Sequence, residues 1–430
     1  MFFTMPSEQW RRNQVAVILS AAIIFAGFTF VMPFLPFFVS SLGIKGRSVA
    51  IWSGILLSVA PLLAAILGPF WGRAADRYGM KLMVSRVVIA MTIHWFLMIF
   101  VRNVYSLLVL RVLLGVFSGF NAMSLALITH GCPRDRIARS IGTLQFFQIL
   151  AVGFGPFIGG ILYDSIGLRV TFGITSGLCL LSFMLIAFLY KDIKAESMSD
   201  SVTTPSTEES RSQHLKFTEI VRLPGVLSLL ILLFFANLVS RSFATVTPLF
   251  VEMLSKTKEN LGFISGIIVS LSSFAEAISA FIFGYLASRI LPKKLVVIAL
   301  AGGILTILPM AFIRSECQFL ILRIVAGLLT GGTLTLAFTT GGGIFPDKSR
   351  AASYAVLSST ALLGGAFGPV MSGFIAATNI RITFVVAAII YFLLILEAVA
   401  GIRREEALKA KEKAAAKEAA GEKPAIPFPR

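Results

Sequence analysis

Gly72-Arg-Ala-Ala-Asp76-Arg77-Tyr-Gly79-Met-Lys81 is a short polar stretch set between two long apolar ones. Upstream, Ile51 to Trp71 carries no charge, and downstream Leu82 to Val101 is apolar apart from Arg86 and His94. A helix of about 20 apolar residues crosses the hydrocarbon core of a bilayer. Both flanks therefore read as membrane spans, and the stretch between them as a loop at a membrane surface. Its glycines permit tight backbone conformations, and Asp76 suits the positive end of a neighbouring helix.

Composition carries this reading to the whole chain. The 430 residues are 57% hydrophobic and 14% charged, with a mean hydropathy of +0.88, more apolar surface than a soluble core can hide. An integral membrane protein is expected, and a soluble enzyme is excluded. The net charge of +17 does not point to nucleic acid. The basic residues lie mostly between the apolar runs, where they set topology and meet the headgroups of the lipid bilayer. Three scattered cysteines, Cys132, Cys179 and Cys317, make neither a disulfide framework nor a metal site. Near the N-terminus, Arg11 and Arg12 precede an apolar run too long for a signal-peptide core, which reads as a retained first span.

Apolar runs fall near 15–40, 51–71, 82–101, 104–129, 139–162 and 170–190, then near 225–251, 262–287, 295–313, 319–342, 352–376 and 382–402. Twelve spans are expected. The loops holding Arg73, Arg77 and Lys81, then Arg134, Arg136 and Arg139, then Arg289, Lys293 and Lys294, and the tail from Arg403 are richer in Lys and Arg than those on the other side. The richer side is the cytoplasmic one, which puts both termini there. Residues 191–224, rich in Ser, Thr, Glu and Lys, read as a cytoplasmic linker between a 1–190 half and a 225–402 half, with 403–430 as a solvated tail.

The halves echo each other. Ser53-Gly54 returns as Ser265-Gly266, Gly72 as Gly284, and Leu110-Arg111 with Gly115 as Leu322-Arg323 with Gly327, all at one separation. A one-residue shift aligns Gly155-Pro156 with Gly368-Pro369. Duplicated helical halves place a binding site at their interface near the bilayer midplane.

The loop pattern G-x-x-x-D-R-x-G-x-K, between the second and third of twelve spans, resembles the signature of the major facilitator superfamily. Val31-Met-Pro-Phe-Leu-Pro36, Trp52-Ser-Gly54 and Gly68-Pro-Phe-Trp-Gly72 look like its drug:proton antiporter branch. The resemblance implies an all-α membrane fold of twelve helices in two pseudo-symmetric six-helix halves. It also implies a conformational gate at Gly72, Asp76, Arg77, Gly79 and Lys81, echoed at Gly284 and Arg289, that latches the halves in the outward-facing state. Met80 stands where a basic residue is usual and Ser288 where the second Asp would be, so the first half is expected to carry the latch.

Further motifs follow. Arg111 lies inside the fourth span, where an unpaired charge is expensive, so it is expected to point into the protein. By resemblance it serves proton transfer, although Leu114 replaces a common glutamine. Bonding carbonyls to hold helices together explains it equally well. Gly142, Ala151, Gly155, Pro156, Gly159 and Gly160 match the spacing of the antiporter motif, and taken alone they read as small-residue helix packing.

Glu276 is the only acidic residue deep in any span, about 12 Å from its helix end at about 1.5 Å per residue. It is a candidate proton carrier or a dock for a cation. Arg241 shares a face with Asn237 and Thr245 at helical spacing, and either neutralises Glu276 or holds an anionic group. Asn121, Gln145 and Gln148 line the cavity by resemblance, or bond helix to helix. His94 is read as a packing residue.

The function so implied is proton-coupled export of small amphipathic or cationic compounds by a monomer in the bacterial inner membrane. The proton gradient is the energy source, and no cofactor or enzymatic chemistry is needed. The alternative is export of a polar or anionic metabolite such as a siderophore, anchored by Arg241 and Arg111.

Overall fold

In a computed structural model of the chain, residues 6–129, 132, 136–191, 225–256, 259–344 and 350–419 are described, without some side chains inside those ranges, Asp76 and Asn121 among them. Every regular element in them is helical. A bilayer allows little else, since a helix satisfies its own backbone where water cannot.

The helices are α1 (Pro6–Val31), α2 (Leu35–Ser41), α3 (Arg47–Tyr78), α4 (Met80–Met98), α5 (Val104–Val116), α6 (Phe120–Thr129), α7 (Ile137–Ile166) and α8 (Leu168–Met184). They continue with α9 (Val226–Leu254), α10 (Leu261–Leu286), α11 (Pro292–Met310), α12 (Glu316–Thr330), α13 (Thr333–Ile344) and α14 (Arg350–Ala419).

Among the described residues, ten stretches are long and apolar enough to cross a membrane. Three expected spans are interrupted. A 3-10 turn at Met32–Phe34 separates α1 from α2, beside Pro33 and Pro36. The 104–129 span divides into α5 and α6 at Gly119, whose φ of +122° is open to glycine and strained for other residues. Gly331 and Gly332 divide α12 from α13. Conversely, the expected loop near 377–381 shrinks to Asn379, whose extended φ of −159° and ψ of 118° break α14. Gly79 at φ +92° and Gly167 at φ +79° are the one-residue hinges before α4 and α8.

Within the first group of helices, α1 packs on α7 and α8, α3 on α5, and α4 on α8. Within the second, α9 packs on α14, α10 on α12, and α11 on both α12 and α14. Aromatic cores fill each group. Phe38 and Phe172 meet at 4.9 Å in the first, Phe250 and Phe384 at 4.8 Å in the second. Much of the outward face is apolar, with Phe188, Phe281 and Leu305 among its most exposed side chains, as a surface solvated by lipid requires.

The groups meet mainly along two seams, α3 with α14 and α7 with α10, and the sequence repeat becomes a pair of matching contacts. A Cβ on Gly54 would lie 2.4 Å from the Pro369 carbonyl oxygen, and one on Gly266 would lie 2.4 Å from the Pro156 carbonyl oxygen. Ser58 Oγ accepts the Val370 N–H at 3.1 Å, and Ser270 Oγ accepts the Phe157 N–H at 2.9 Å. Each proline thus presses its carbonyl on a glycine across the seam while the next amide is taken by a serine there. Toward the other end of α3 and α7, Cβ atoms on Gly68, Gly72 and Gly142 would meet nothing within 4 Å. The molecule is closed at the end holding the N-termini of α3 and α10.

Candidate functional site

The antiporter-type residues divide between two neighbours of α7. A Cβ on Gly155 would fall on Thr29 Oγ1 at 1.8 Å, and one on Gly159 would fall 2.2 Å from the Phe30 carbonyl oxygen, so these two admit α1. Thr29 Oγ1 also donates to the Ala151 carbonyl at 3.2 Å. Pro156 and Gly160 face α10 instead, with Gly160 against the Gly262 carbonyl at 2.4 Å. Gly142 takes no part in either contact.

One turn beyond Gly160, the Asp164 carboxylate accepts the Gly262 N–H at 3.1 Å and the Phe263 N–H at 2.7 Å. It thereby caps α10 from across the α7–α10 seam, satisfying first-turn donors and complementing the helix dipole. Caps of this kind contribute about 1 kcal/mol. Asp164→Ala should therefore speed hydrogen exchange at the Gly262 and Phe263 amides by about fivefold. Exchange unchanged from that of Ser165→Ala would show that the carboxylate holds nothing in place.

Arg111 is 1% exposed and points inward as expected. Its Nη1 approaches Met32 Sδ at 3.4 Å, and its guanidinium lies 5.8 Å from the Trp95 ring centre. Nε and Nη2 have no partner, so it holds helices through sulfur and aromatic contact rather than through carbonyls. His94, buried and packed edge-on at 4.9 Å from Trp95, lies beside Arg111 and the Leu110 carbonyl without a well-formed hydrogen bond.

The second group contains a matching arginine to which the sequence reading gave no role. Arg323, at the position repeating Arg111, is 7% exposed and sits 4.2 Å over the Phe243 ring. Its Nε is unpartnered, and it lies within electrostatic reach of Glu276 and Tyr391. Glycine contact brings the two helices together there. A Cβ on Gly327 would lie 2.8 Å from the Ser272 carbonyl oxygen, and one on Gly331 would lie 2.5 Å from Glu276 Cα. The signal was available: Leu322-Arg323 with Gly327 repeats Leu110-Arg111 with Gly115.

Arg241 is exposed on α9, with its Cγ 3.3 Å from the Cβ position of Gly365 on α14. Among the described residues no ion pair joins it to Glu276. Asn237 and Thr245 share its stripe and are buried. Thr245 Oγ1 reaches the Pro369 carbonyl at 3.5 Å, and Asn237 Nδ2 reaches the Leu233 carbonyl at 3.5 Å. On α7, Gln145 is exposed and Gln148 half-buried with its amide nitrogen unpartnered. The Asn121 side chain lies outside the described residues.

At the opposite end, the Asp76 side chain also lies outside the described residues. Lys81 Nζ donates to the Tyr190 carbonyl at 2.7 Å and the Ala187 carbonyl at 3.2 Å. That ties α4 to the end of the last span of its own group, not to the other group. Arg77 is exposed beside Tyr78, 5.4 Å from the ring centre. Arg289 bonds the Tyr285 hydroxyl one turn back, and Gly284 meets Thr335 at ordinary contact distance. In this conformation these contacts of Lys81, Arg77 and Arg289 all lie within their own groups.

Helices of this length and apolarity, packed in two groups, define a multi-pass membrane protein. The chain matches the Major Facilitator Superfamily over residues 17–315 and again over 253–429, and it belongs to that family. It is 33% identical over 385 residues to the multidrug resistance protein MdtG of Escherichia coli O81 (strain ED1a), covering 89% of this chain and 92% of that protein. Against MdtG of Escherichia coli K12 (strain DH10B) the identity is 33% over 381 residues, covering 88% and 91%. Among solved structures, an inward-facing, unoccupied bacterial homolog of the human lysosomal transporter Spinster superposes with a TM-score of 0.74 at 16% identity, covering 91% of this chain and 98% of that one. The nucleoside transporter NupG does so at 0.72 and 14%, covering 91% and 99%.

Proposed function

We propose that the chain is a proton-coupled exporter of small amphipathic or cationic compounds, working by alternating access in the bacterial inner membrane with both termini cytoplasmic. The observation that carries this reading is Glu276, half-buried and the only acidic residue of the sequence deep in a span, within electrostatic reach of the buried Arg323 on α12. Likeness to a multidrug resistance protein along nearly the whole chain supports the substrate class.

Twelve spans follow once α5 and α6 count as one broken crossing and α14 as two. The stretch Val356–Gly401 has 46 residues, too long for a single passage of about 30 Å, and Asn379 breaks it. The spans fall into six before the 191–224 linker and six after it. With the Lys- and Arg-rich loops cytoplasmic, the closed end is extracellular and the structure is inward-facing. The latch implied for the gate stretch belongs to the opposite, outward-facing state.

In this mechanism, the Glu276 carboxylate, within electrostatic reach of Arg323, can receive a cation in the cavity. Protonation removes its charge and frees Arg323, so proton and substrate compete for one conformational equilibrium. Arg241, exposed and free of Glu276, keeps the anionic-metabolite reading open. In proteoliposomes, an imposed proton gradient should drive transport of a cationic dye, and an uncoupler should stop it. Gradient-driven transport of a carboxylated compound with no movement of the dye would overturn the cationic assignment in favour of Arg241 and Arg111 as anchors.

A further inference from the structure

Arg86 of α4 has no part in this mechanism, and its surroundings are unusual. Its guanidinium stacks 3.3 Å from the Trp71 ring centre, with the Phe117 ring centre at 5.9 Å. The indole is fixed in turn by its Nε1 donating to the Val116 carbonyl at 2.7 Å. Stacking occupies the faces of an arginine and leaves only its in-plane N–H fork, which matches phosphate, to be satisfied. Here Nε, Nη1 and Nη2 all lack an acceptor. A charge kept in an apolar setting with its donors unmet is costly, so what this place lacks is an anion.

A groove of about 520 Å³ runs from Arg86 between α4 and α5. Leu82, Ile89, Ile93, Leu97, Leu113 and Phe117 line it, each 38–58% exposed on the side that meets the membrane. No carboxylate lines it. From Arg86 to Leu97 the groove follows about 16 Å of helix at about 1.5 Å per residue, roughly half of a hydrocarbon core of about 30 Å. That is the reach of a chain belonging to one leaflet. Arg86 lies about 8 Å from Lys81 along α4, near the boundary where a phosphate of that leaflet sits.

We propose that this groove binds an anionic phospholipid, its phosphate on Arg86 and one acyl chain laid along Ile89, Ile93 and Leu97. The charge selects the occupant. A cationic amphiphile of the kind proposed as substrate is repelled at Arg86, and a zwitterionic lipid gains less there, since each basic residue near a membrane surface favours anionic lipid by about 1 kcal/mol. The site is distinct from the central cavity, because it faces outward between α4 and α5 whereas Glu276 faces α12.

The test uses the full-length protein in detergent, incubated with phosphatidylglycerol and phosphatidylcholine of matched chains and read by native mass spectrometry. Phosphatidylglycerol should be retained about fivefold over phosphatidylcholine, and Arg86→Gln should bring the ratio close to one. Ile93→Trp fills the groove without touching the charge, so it should lower retention of phosphatidylglycerol, and it decides the matter if Arg86→Gln does not fold. Inorganic phosphate and laurate should not displace the lipid. Equal retention of the two lipids by the wild type, full retention by Ile93→Trp, or displacement by phosphate or laurate would each overturn the proposal.

Discussion

Glu276→Gln should abolish transport driven by a proton gradient while leaving exchange of substrate across a membrane without a gradient. The glutamine keeps the shape and hydrogen-bonding capacity of the side chain and removes only its ability to take and lose a proton. If Glu276 is the carrier, the driven rate falls by at least about tenfold, the change that 1.36 kcal/mol of lost coupling produces. Arg323→Gln reports from the other side of the same contact. It leaves Glu276 without the cation that lies within electrostatic reach, and a carboxylate in an apolar setting without a partner is disfavoured. Arg323→Gln should therefore yield less folded protein, and adding Glu276→Gln to it should restore the yield although not the driven transport. Driven transport at the wild-type rate in Glu276→Gln would sink the coupling role. A double variant no better folded than Arg323→Gln alone would separate the two residues energetically.

The features that were legible in the sequence share a physical cause: the bilayer forces long uncharged runs, and duplication forces matching motifs. The spans follow from the first, but the expected loop Gly72–Lys81 does not: α3 runs on through Tyr78 and α4 begins at Met80, so the turn shrinks to Gly79, because a helix satisfies its backbone at the membrane surface as well as inside it. The second marked Gly54, Gly266, Pro156 and Pro369 before any contact between them was known, and these four meet across the seams. Where the sequence left a contact open, the deciding partner is distant along the chain. Helical spacing put Arg241, Asn237 and Thr245 on one face but could not say that the face abuts α14 rather than Glu276. In this conformation the acceptors of Lys81 are the Ala187 and Tyr190 carbonyls of its own group, partners more than 100 residues away that the motif does not name. Gly119 and Asn379 break helices through single backbone conformations, and an apolar run hides such a break because its hydropathy does not change across it. Arg323 was legible through the repeat; the unmatched Glu276 drew attention to Arg241 instead.

Gly266→Val should open the closed end of the molecule. The added Cβ would lie 2.4 Å from the Pro156 carbonyl oxygen, a backbone atom that no side-chain rotation can move aside. Overpacking of this kind costs about 1–3 kcal/mol inside a fixed core. Here the strained contact lies between two groups of helices that join mainly along two seams, so the least costly relief is to part them at this end. The same 1–3 kcal/mol then becomes a shift of about 5- to 150-fold in the conformational equilibrium. Gly54→Val does the equivalent on the other seam, against the Pro369 carbonyl. The reporter belongs on the seam that was not altered. Ser58, 4% exposed at the α3–α14 contact, can be replaced by cysteine in a background without Cys132, Cys179 and Cys317, and labelled with a membrane-impermeant maleimide from the side of the closed end. If the groups move as bodies, Gly266→Val on the α7–α10 seam raises labelling at position 58 severalfold. Gly177→Val, where the new Cβ would meet nothing within 4 Å, does not. Unchanged labelling at position 58 would confine the effect to the altered seam and contradict rigid-body rocking, because two seams on one body cannot open independently.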